Sequence, residues 1–325
     1  MVESSNGEPS MASTRLQSTV HAHHWKGFRY YSRLTRSPAA RLDPVVLIGG
    51  AMQRKEDWGR LEQGMLEAAD VICPDLPGWG EADLLAAEHG PDLLADALRH
   101  LLDDLGVRRA NVFAGSYGTA IAYRLAQTAP DRIARMVLAG TMSTIPDEAR
   151  PGMQGAIDLA LSGVRERFGP AAVEMLMCAD PGIDIASAAV VRRILSRRFE
   201  GVSEDELAKF VANTRRLLER DLIDTSLSPV VPALFAVGAH DTLTPPELCR
   251  ELALTCRDSW FTVMPRADHL LHLERPRELV DLMTRFFATE PLAGLHRDGL
   301  NDGPYDGPYD GAVEYLNQSR VPALT

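Results

Sequence analysis

The amino-acid sequence predicts an α/β protein whose mainly parallel sheet is doubly wound, with helices on both faces. Three observations carry that prediction. Short, almost wholly apolar runs recur along the 325-residue chain, amphipathic segments separate them, and one block between two of the runs lacks strand character. Continuous apolar runs are what strands buried on both faces require, whereas a half-exposed strand alternates. Strand and helix in turn describe layers packed on a central sheet.

The runs, in chain order, are PVVLIGG (44–50), DVICPD (70–75), ANVFAGS (110–116), IARMVLAGT (133–141), PALFAVGAHD (232–241) and the weaker SWFTVMPRADH (259–269). Ahead of them, HWKGFRYYSRLTR (24–36) reads as one or two antiparallel edge strands. PDLLADALRHLLDDLGV (91–107) repeats apolar residues every three or four positions, opens on Pro91 and closes near Gly106, as helices do. From about Met142 to Val231 the pattern is helical, and Ser203 and Glu206 stand in capping-box register. This block is expected to cap the carboxyl edge of the sheet, where open α/β sheets bind ligands.

The expected organisation is a core over 21–141 and 232–290 with a helical cap over 142–231 between two core strands. Residues 1–20 read as a disordered lead, with Met11 an alternative start. Residues 291–325 read as a flexible, low-complexity tail. Its DGPYDGPYDG repeat (302–311) holds too little apolar surface to offset the entropy of ordering. A docking strip for a partner is the other reading of that repeat.

Composition narrows the function. A formal charge of -11 without a dense basic stripe argues against nucleic acid as a partner. No run approaches the ~18 apolar residues of a membrane span, and the lead has no apolar signal-peptide core, so no membrane association is expected. Cys73, Cys178, Cys249 and Cys256 match no zinc spacing, and Cys73 is expected as a buried free thiol. That usage predicts a reduced, cytoplasmic setting. The histidines of HAHHW (21–25) lack further ligands, and no metal or other cofactor is expected.

The chemistry is concentrated in NVFAGSYGTA (111–120), where Ser116 sits between two glycines at a strand-to-helix turn. Small residues at Ala114 and Gly118 permit such a turn, and the helix start offers unpaired N–H groups to a developing anion. A serine in a glycine turn with no chemistry is the plainer reading of this stretch alone. A serine hydroxyl also needs a base, and the base an orienting acid. Asp241 closes one later strand and His269 follows the next. Singly, these are a capping aspartate and a loop histidine; the order Ser, Asp, His at separate strand ends makes coincidence a poor account.

With VVLIGGAMQ, DLPGWGEAD, AGSYGTAIAYRLA, GAHDTLTP and ADHLLHLERP, the chain resembles cap-bearing serine enzymes of the α/β-hydrolase fold over about residues 20–290. The resemblance implies Ser116 as nucleophile, Asp241 as acid and His269 as base, with His272 as competing base. It implies an oxyanion hole from the backbone amides of Ala51 and Tyr117, with Gly50 and Met52 beside the substrate. Two positions depart from the family: Gly49-Gly50 replaces the usual His-Gly, and Ala114 stands where many relatives have Gly. The implied activity is hydrolysis of an ester or thioester of a small to medium apolar acyl substrate. Acyl transfer, including transfer from an acyl or peptidyl carrier protein, carbon–carbon bond hydrolysis and cofactor-free perhydrolysis would use the same residues. A serine nucleophile disfavours dehalogenase and epoxide hydrolase chemistry, and an intact triad argues against a non-catalytic binding protein. Arg54 and Lys55 read first as a solvated charged turn; meeting an anionic substrate or carrier is the other reading.

Overall fold

The computed structural model describes residues 16–292 and 312–317. Strands β1 (Gln17–Trp25) and β2 (Phe28–Arg36) form an antiparallel hairpin. Lys26 and Gly27 close it at positive φ, 48° and 85°, as a tight two-residue turn demands. The pairing starts at Gln17, so residues 17–20 belong to a strand and not to the expected lead.

The core then alternates β3 (Val45–Ile48), α1 (Gly59–Met65), β4 (Val71–Asp75), α2 (Pro91–Asp104), β5 (Ala110–Gly115), α3 (Gly118–Thr128) and β6 (Ile133–Ala139). Helices α4 (Arg150–Leu161), α5 (Arg165–Leu176), α6 (Ala188–Glu200) and α7 (Glu204–Glu219) follow without an intervening strand. The core resumes with β7 (Ala233–Gly238), α8 (Pro246–Ala253), β8 (Asp258–Met264), α9 (Leu271–Glu274) and α10 (Pro276–Phe287). The last described strand is β9 (Glu314–Asn317).

The nine strands form one sheet in the order β1-β2-β4-β3-β5-β6-β7-β8-β9. Strands β3 to β8 are mutually parallel, and the antiparallel pairs lie at the two edges. Burial on both faces explains the unbroken apolar runs. Along β3, Val46 and Ile48 pack with Leu98 of α2 and Ile121 of α3, while Val45 and Leu47 pack with Leu61 of α1 and Met283 of α10.

Helices α4 to α7 form the expected cap and have a core of their own, in which Phe168 meets Phe210 edge-on at 5.0 Å. That core continues onto Met52 and Leu270, in loops after β3 and β8, and onto Leu273 of α9. The Ser203–Glu206 capping box is formed in both directions, at 3.2 and 3.0 Å.

Strand β9 corrects the expectation of a wholly flexible tail. It pairs with β8, buries Leu316 and sets the Tyr315 ring 4.8 Å from that of Trp260. The DGPY repeat lies outside the described residues. All four cysteines are free, and Cys73, Cys249 and Cys256 are buried. His23 of the HAHHW stretch is buried between Asp104 (2.8 Å) and Ser32 (2.9 Å). Among the described residues, no helix is long and apolar enough to cross a membrane.

Helix α3 crosses β3 closely enough that its first residue must be glycine. A Cβ built on Gly118 would lie 2.7 Å from the Gly49 carbonyl oxygen and 2.8 Å from that of Ile48. Gly118→Ala is therefore expected to lose about 1–3 kcal/mol in urea unfolding. Gly152→Ala, in an exposed helix with open space around it, should instead gain roughly 0.5–1 kcal/mol.

Candidate active site

Ser116 links β5 to α3 with φ at 50°, a left-handed conformation that an L residue adopts only under constraint. The constraint is visible on both sides of the residue. Its N–H donates to the Ala139 carbonyl at 2.8 Å, and its carbonyl accepts the Thr119 hydroxyl at 2.6 Å. The turn thereby lifts the hydroxyl off the sheet toward the cap.

Asp241 and His269 arrive from the loops after β7 and β8. Ser116 Oγ lies 3.0 Å from His269 Nε2, and His269 Nδ1 lies 2.9 Å from Asp241 Oδ2. With Nδ1 protonated toward the carboxylate, Nε2 is left to accept the serine proton. Asp241 is anchored in turn: Oδ1 accepts the Leu243 and Thr244 N–H groups at 2.9 and 2.8 Å, and Oδ2 accepts the Thr244 hydroxyl at 2.6 Å. Thr244 carries no catalytic signature in the sequence, although its place three residues after an aspartate at a strand end is a local capping signal.

The electrostatics follow from burial and pairing. Burial raises the Asp241 carboxyl, but the His269 charge and the hydrogen bonds of His269 and Thr244 outweigh it and hold the pKa below the usual carboxylate value. For His269, burial works against the imidazolium; Asp241 outweighs it and raises the pKa above the ordinary 6.5. Close packing needs glycine here as well. A Cβ on Gly140, whose φ is 61°, would come 3.3 Å from Asp241 Oδ2 and 3.3 Å from His269 Cε1.

His272 is not at the serine. Its Nε2 lies 3.4 Å from Gln53 Nε2 and its ring 5.7 Å from that of Trp58. Burial, with His269 nearby, pushes its pKa down to about 4, so it stays neutral. Gln53 reaches from His272 to the loop after β3, where its Oε1 accepts the Gly50 N–H at 3.2 Å. That loop runs against Ser116: a Cβ on Gly50 would lie 3.1 Å from Ser116 Cβ and 3.7 Å from Ser116 Oγ.

The basic pair in this loop is tied to carboxylates and is not simply a solvated charged turn. Lys55 is only 2% exposed, and its ammonium contacts Asp75 Oδ2 at 2.9 Å and Glu56 Oε1 at 3.0 Å, with Glu81 as a third carboxylate. Arg54 pairs with Asp57 at 3.1 Å. Neighbouring and distant carboxylates together neutralise a stretch that reads as cationic in sequence.

Two chambers meet at Ser116. The larger, about 180 Å³, is walled by Ala51, Met52, His269 and cap residues that include Ile194, Leu195 and Phe199. The smaller, about 80 Å³, is walled by Tyr117, Thr141, Thr244, Arg220 and Ile223 among others. The predicted residues Ser116, His269, Ala51, Gly50 and Met52 thus all border the larger chamber, and Tyr117 borders the smaller.

Behind His269 lies a second acid. Glu274 Oε2 accepts the Asp268 N–H at 2.7 Å, while its buried Oε1 has no partner among the described residues. Burial pushes its pKa from 4.5 up to about 7. Between those values the folded state binds the extra proton, so Glu274 makes stability fall as pH rises. His272 does the reverse: from about 4 to 6.5 the unfolded state binds the extra proton, and stability rises with pH. Glu274→Gln should therefore make the melting temperature climb more steeply with pH than wild type between these values. His272→Gln should make it climb less or fall; parallel profiles for all three proteins would refute this coupling.

The comparisons with known proteins agree with this architecture. Residues 43–276 match the profile of the alpha/beta hydrolase fold family. The dihydrolipoyllysine-residue acetyltransferase component of an acetoin cleaving system from Pseudomonas putida is 28% identical over 75% of this chain. The aligned region spans 63% of that relative's length. A 2-hydroxy-6-oxononadienedioate/2-hydroxy-6-oxononatrienedioate hydrolase from Burkholderia vietnamiensis is 25% identical over 73% of this chain and 85% of its own. Among solved structures, MGS-M2, an alpha/beta hydrolase enzyme from a Medee basin deep-sea metagenome library, matches with a TM-score of 0.71. It does so at 18% identity, over 83% of this chain and 98% of that one, a likeness of fold. The family match takes in the turn that carries Ser116 and the loops that carry Asp241 and His269, and this chain belongs to the alpha/beta hydrolase fold family.

Proposed function

We propose that the protein is a serine hydrolase that cleaves an ester or thioester of a small to medium apolar acyl substrate through an acyl-enzyme on Ser116. The observation that carries the reading is the hydrogen-bonded series from Ser116 Oγ through His269 to Asp241, placed where two chambers meet. Ser116 Oγ attacks the acyl carbon as His269 Nε2 takes its proton, and Asp241 stabilises the imidazolium. The amides of Ala51 and Tyr117 hold the oxyanion, aided by the amino end of α3. His269 then returns the proton to the leaving group. Water, activated by the same histidine, releases the acid. The apolar wall of Ile194, Leu195 and Phe199 suits a hydrocarbon substituent.

Acyl transfer is the second reading, favoured by the name of the Pseudomonas relative, an acetyltransferase component. In that case an alcohol, amine or thiol, including one on a carrier protein, takes the place of water. Intact-protein mass spectrometry after a pulse of p-nitrophenyl butyrate separates the two. Rapid release of free butyrate supports hydrolysis; an acyl-enzyme discharged only by an added acceptor establishes transfer.

A fluorophosphonate should label the wild type once, and Ser116→Ala should abolish the label. Labelling that persists in Ser116→Ala rejects the assignment. Asp241→Asn is expected to slow acylation on the order of 10⁴-fold, by analogy with other triads. In the wild type, the acylation rate should rise with pH through an inflection above 6.5, since the base must be neutral and Asp241 raises its pKa. Removing the Asp241 charge should move that inflection down. Ile194, 44% exposed and lining the larger chamber, offers a specificity test. Ile194→Trp should depress kcat/KM for long acyl esters relative to acetate while leaving fluorophosphonate labelling within about twofold, because it fills space without touching the triad.

A further inference from the structure

The loop after β4 and the cap helix α7 contain buried polar side chains that the chemistry above does not use. Trp79, 4% exposed, donates its indole N–H to the Gly50 carbonyl at 2.9 Å. The Gln53 N–H donates to the same oxygen at 3.3 Å. A trans peptide is planar, and its C=O and N–H point in opposite directions. Binding the Gly50 carbonyl on the Trp79 side therefore turns the Ala51 N–H, in the same peptide unit, the other way. Ala51 lines the larger chamber together with Ser116.

Trp79 also touches the side chain of the residue that carries the second amide. Its ring stands edge-on to that of Tyr117, with centroids 4.9 Å apart and planes at 70°. The Tyr117 hydroxyl accepts a hydrogen bond from Arg216 Nη1 at 2.8 Å. Arg216, on α7, is 0% exposed, and each of its donors is engaged. Nε donates to the His89 carbonyl at 2.6 Å, Nη1 also to Asn213 Oδ1 at 2.7 Å, and Nη2 to the Leu85 and Ala86 carbonyls at 2.9 Å each. None of these partners is a carboxylate. Asn213 grips the same loop, donating to the Gly78 carbonyl at 3.0 Å.

A buried guanidinium satisfied only by neutral acceptors has given up hydration without gaining a counter-charge. An apolar side chain would seat a cap helix at less cost. What the arginine adds is direction: a rigid fork that fixes five acceptors, one of them on the residue that follows Ser116.

We propose that Trp79 and Arg216 are positioning residues for the oxyanion hole. Trp79 aims the Ala51 amide through the Gly50 carbonyl, and Arg216 fixes the Tyr117 amide through the phenol. Because Arg216 belongs to the cap, the geometry of the hole depends on how α7 is seated. This inference rests on the reading of Ser116 as nucleophile with Ala51 and Tyr117 as oxyanion donors.

Two conservative variants test it with little disturbance of packing. Trp79→Phe keeps an aromatic ring against Tyr117 and deletes the N–H donor; Tyr117→Phe keeps the amide and deletes only the hydroxyl. Each would be measured with p-nitrophenyl butyrate, with butylboronic acid as a tetrahedral adduct of Ser116, and by thermal melting. Misaimed oxyanion donors act in the transition state, so kcat should fall about ten- to a hundredfold. KM should stay within about twofold, the boronate affinity should fall with kcat, and the fold should melt cooperatively. Unchanged kcat and boronate affinity, or a parallel loss of KM, boronate affinity and melting cooperativity, would overturn the clamp. Fluorophosphonate labelling of the wild type separates the two layers. A wild type that labels at Ser116 while Trp79→Phe turns over normally sinks the clamp alone. A wild type that does not label at Ser116 sinks the serine reading and the clamp with it.

Discussion

Three stretches of backbone converge on Ser116 at distances that leave no room for a side chain: the end of β3, the turn after β5 and the first residue of α3. A methyl group on Gly118 would overlap two carbonyl oxygens of the first stretch, and one on Gly50 would press on the serine itself. Ser116 in turn occupies a left-handed conformation that costs an L residue roughly 1–2 kcal/mol. Much of the remaining architecture serves this crowding. Parallel pairing of β3 with β5 brings the Gly49-Gly50 loop beside the turn, and β6 supplies the carbonyl that holds the serine N–H. The helix that leaves the turn is then committed to the sheet face where α2 packs.

The same economy of space governs the charges. His269 is enclosed with Asp241, Asp268 and Glu274 around it, and burial raises the pKa of both Asp268 and Glu274. Below about pH 7, a proton retained on Glu274 keeps negative charge near the histidine lower than the count of carboxyls implies. Asp241, by contrast, accepts four hydrogen bonds and stays ionised. One imidazole thus faces carboxyl groups in different states, set apart by how many donors each one finds.

What was legible in the sequence was what neighbouring residues determine. The parallel strands show as apolar runs because alternate residues of β3 face opposite cores. Ser116, Asp241 and His269 stand out because each sits at the end of such a run. The Ser203–Glu206 cap is local, and its register shows in the sequence. What stayed hidden depends on distant partners. Lys55 reads as a surface cation until Asp75, twenty residues on, buries it. Arg216 sits in an ordinary charged stretch, TRRLLE, and only the fold shows that its acceptors come from the loop at 85–89. Strand β9 has four residues after a long polar repeat, and its partner strand lies more than fifty residues away.

The two chambers have only Ser116 in common among the residues that wall them. A molecule held across that residue is bent over a single atom, with each arm in its own compartment. On the proposed chemistry, the fragments are already partitioned once the bond at the serine is cut, and neither has to pass the other to leave. Traffic then imposes no order of departure. In that scheme an arm tethered to Ser116 would wait on its chemistry, while the empty compartment beside it would be free to admit whatever attacks next.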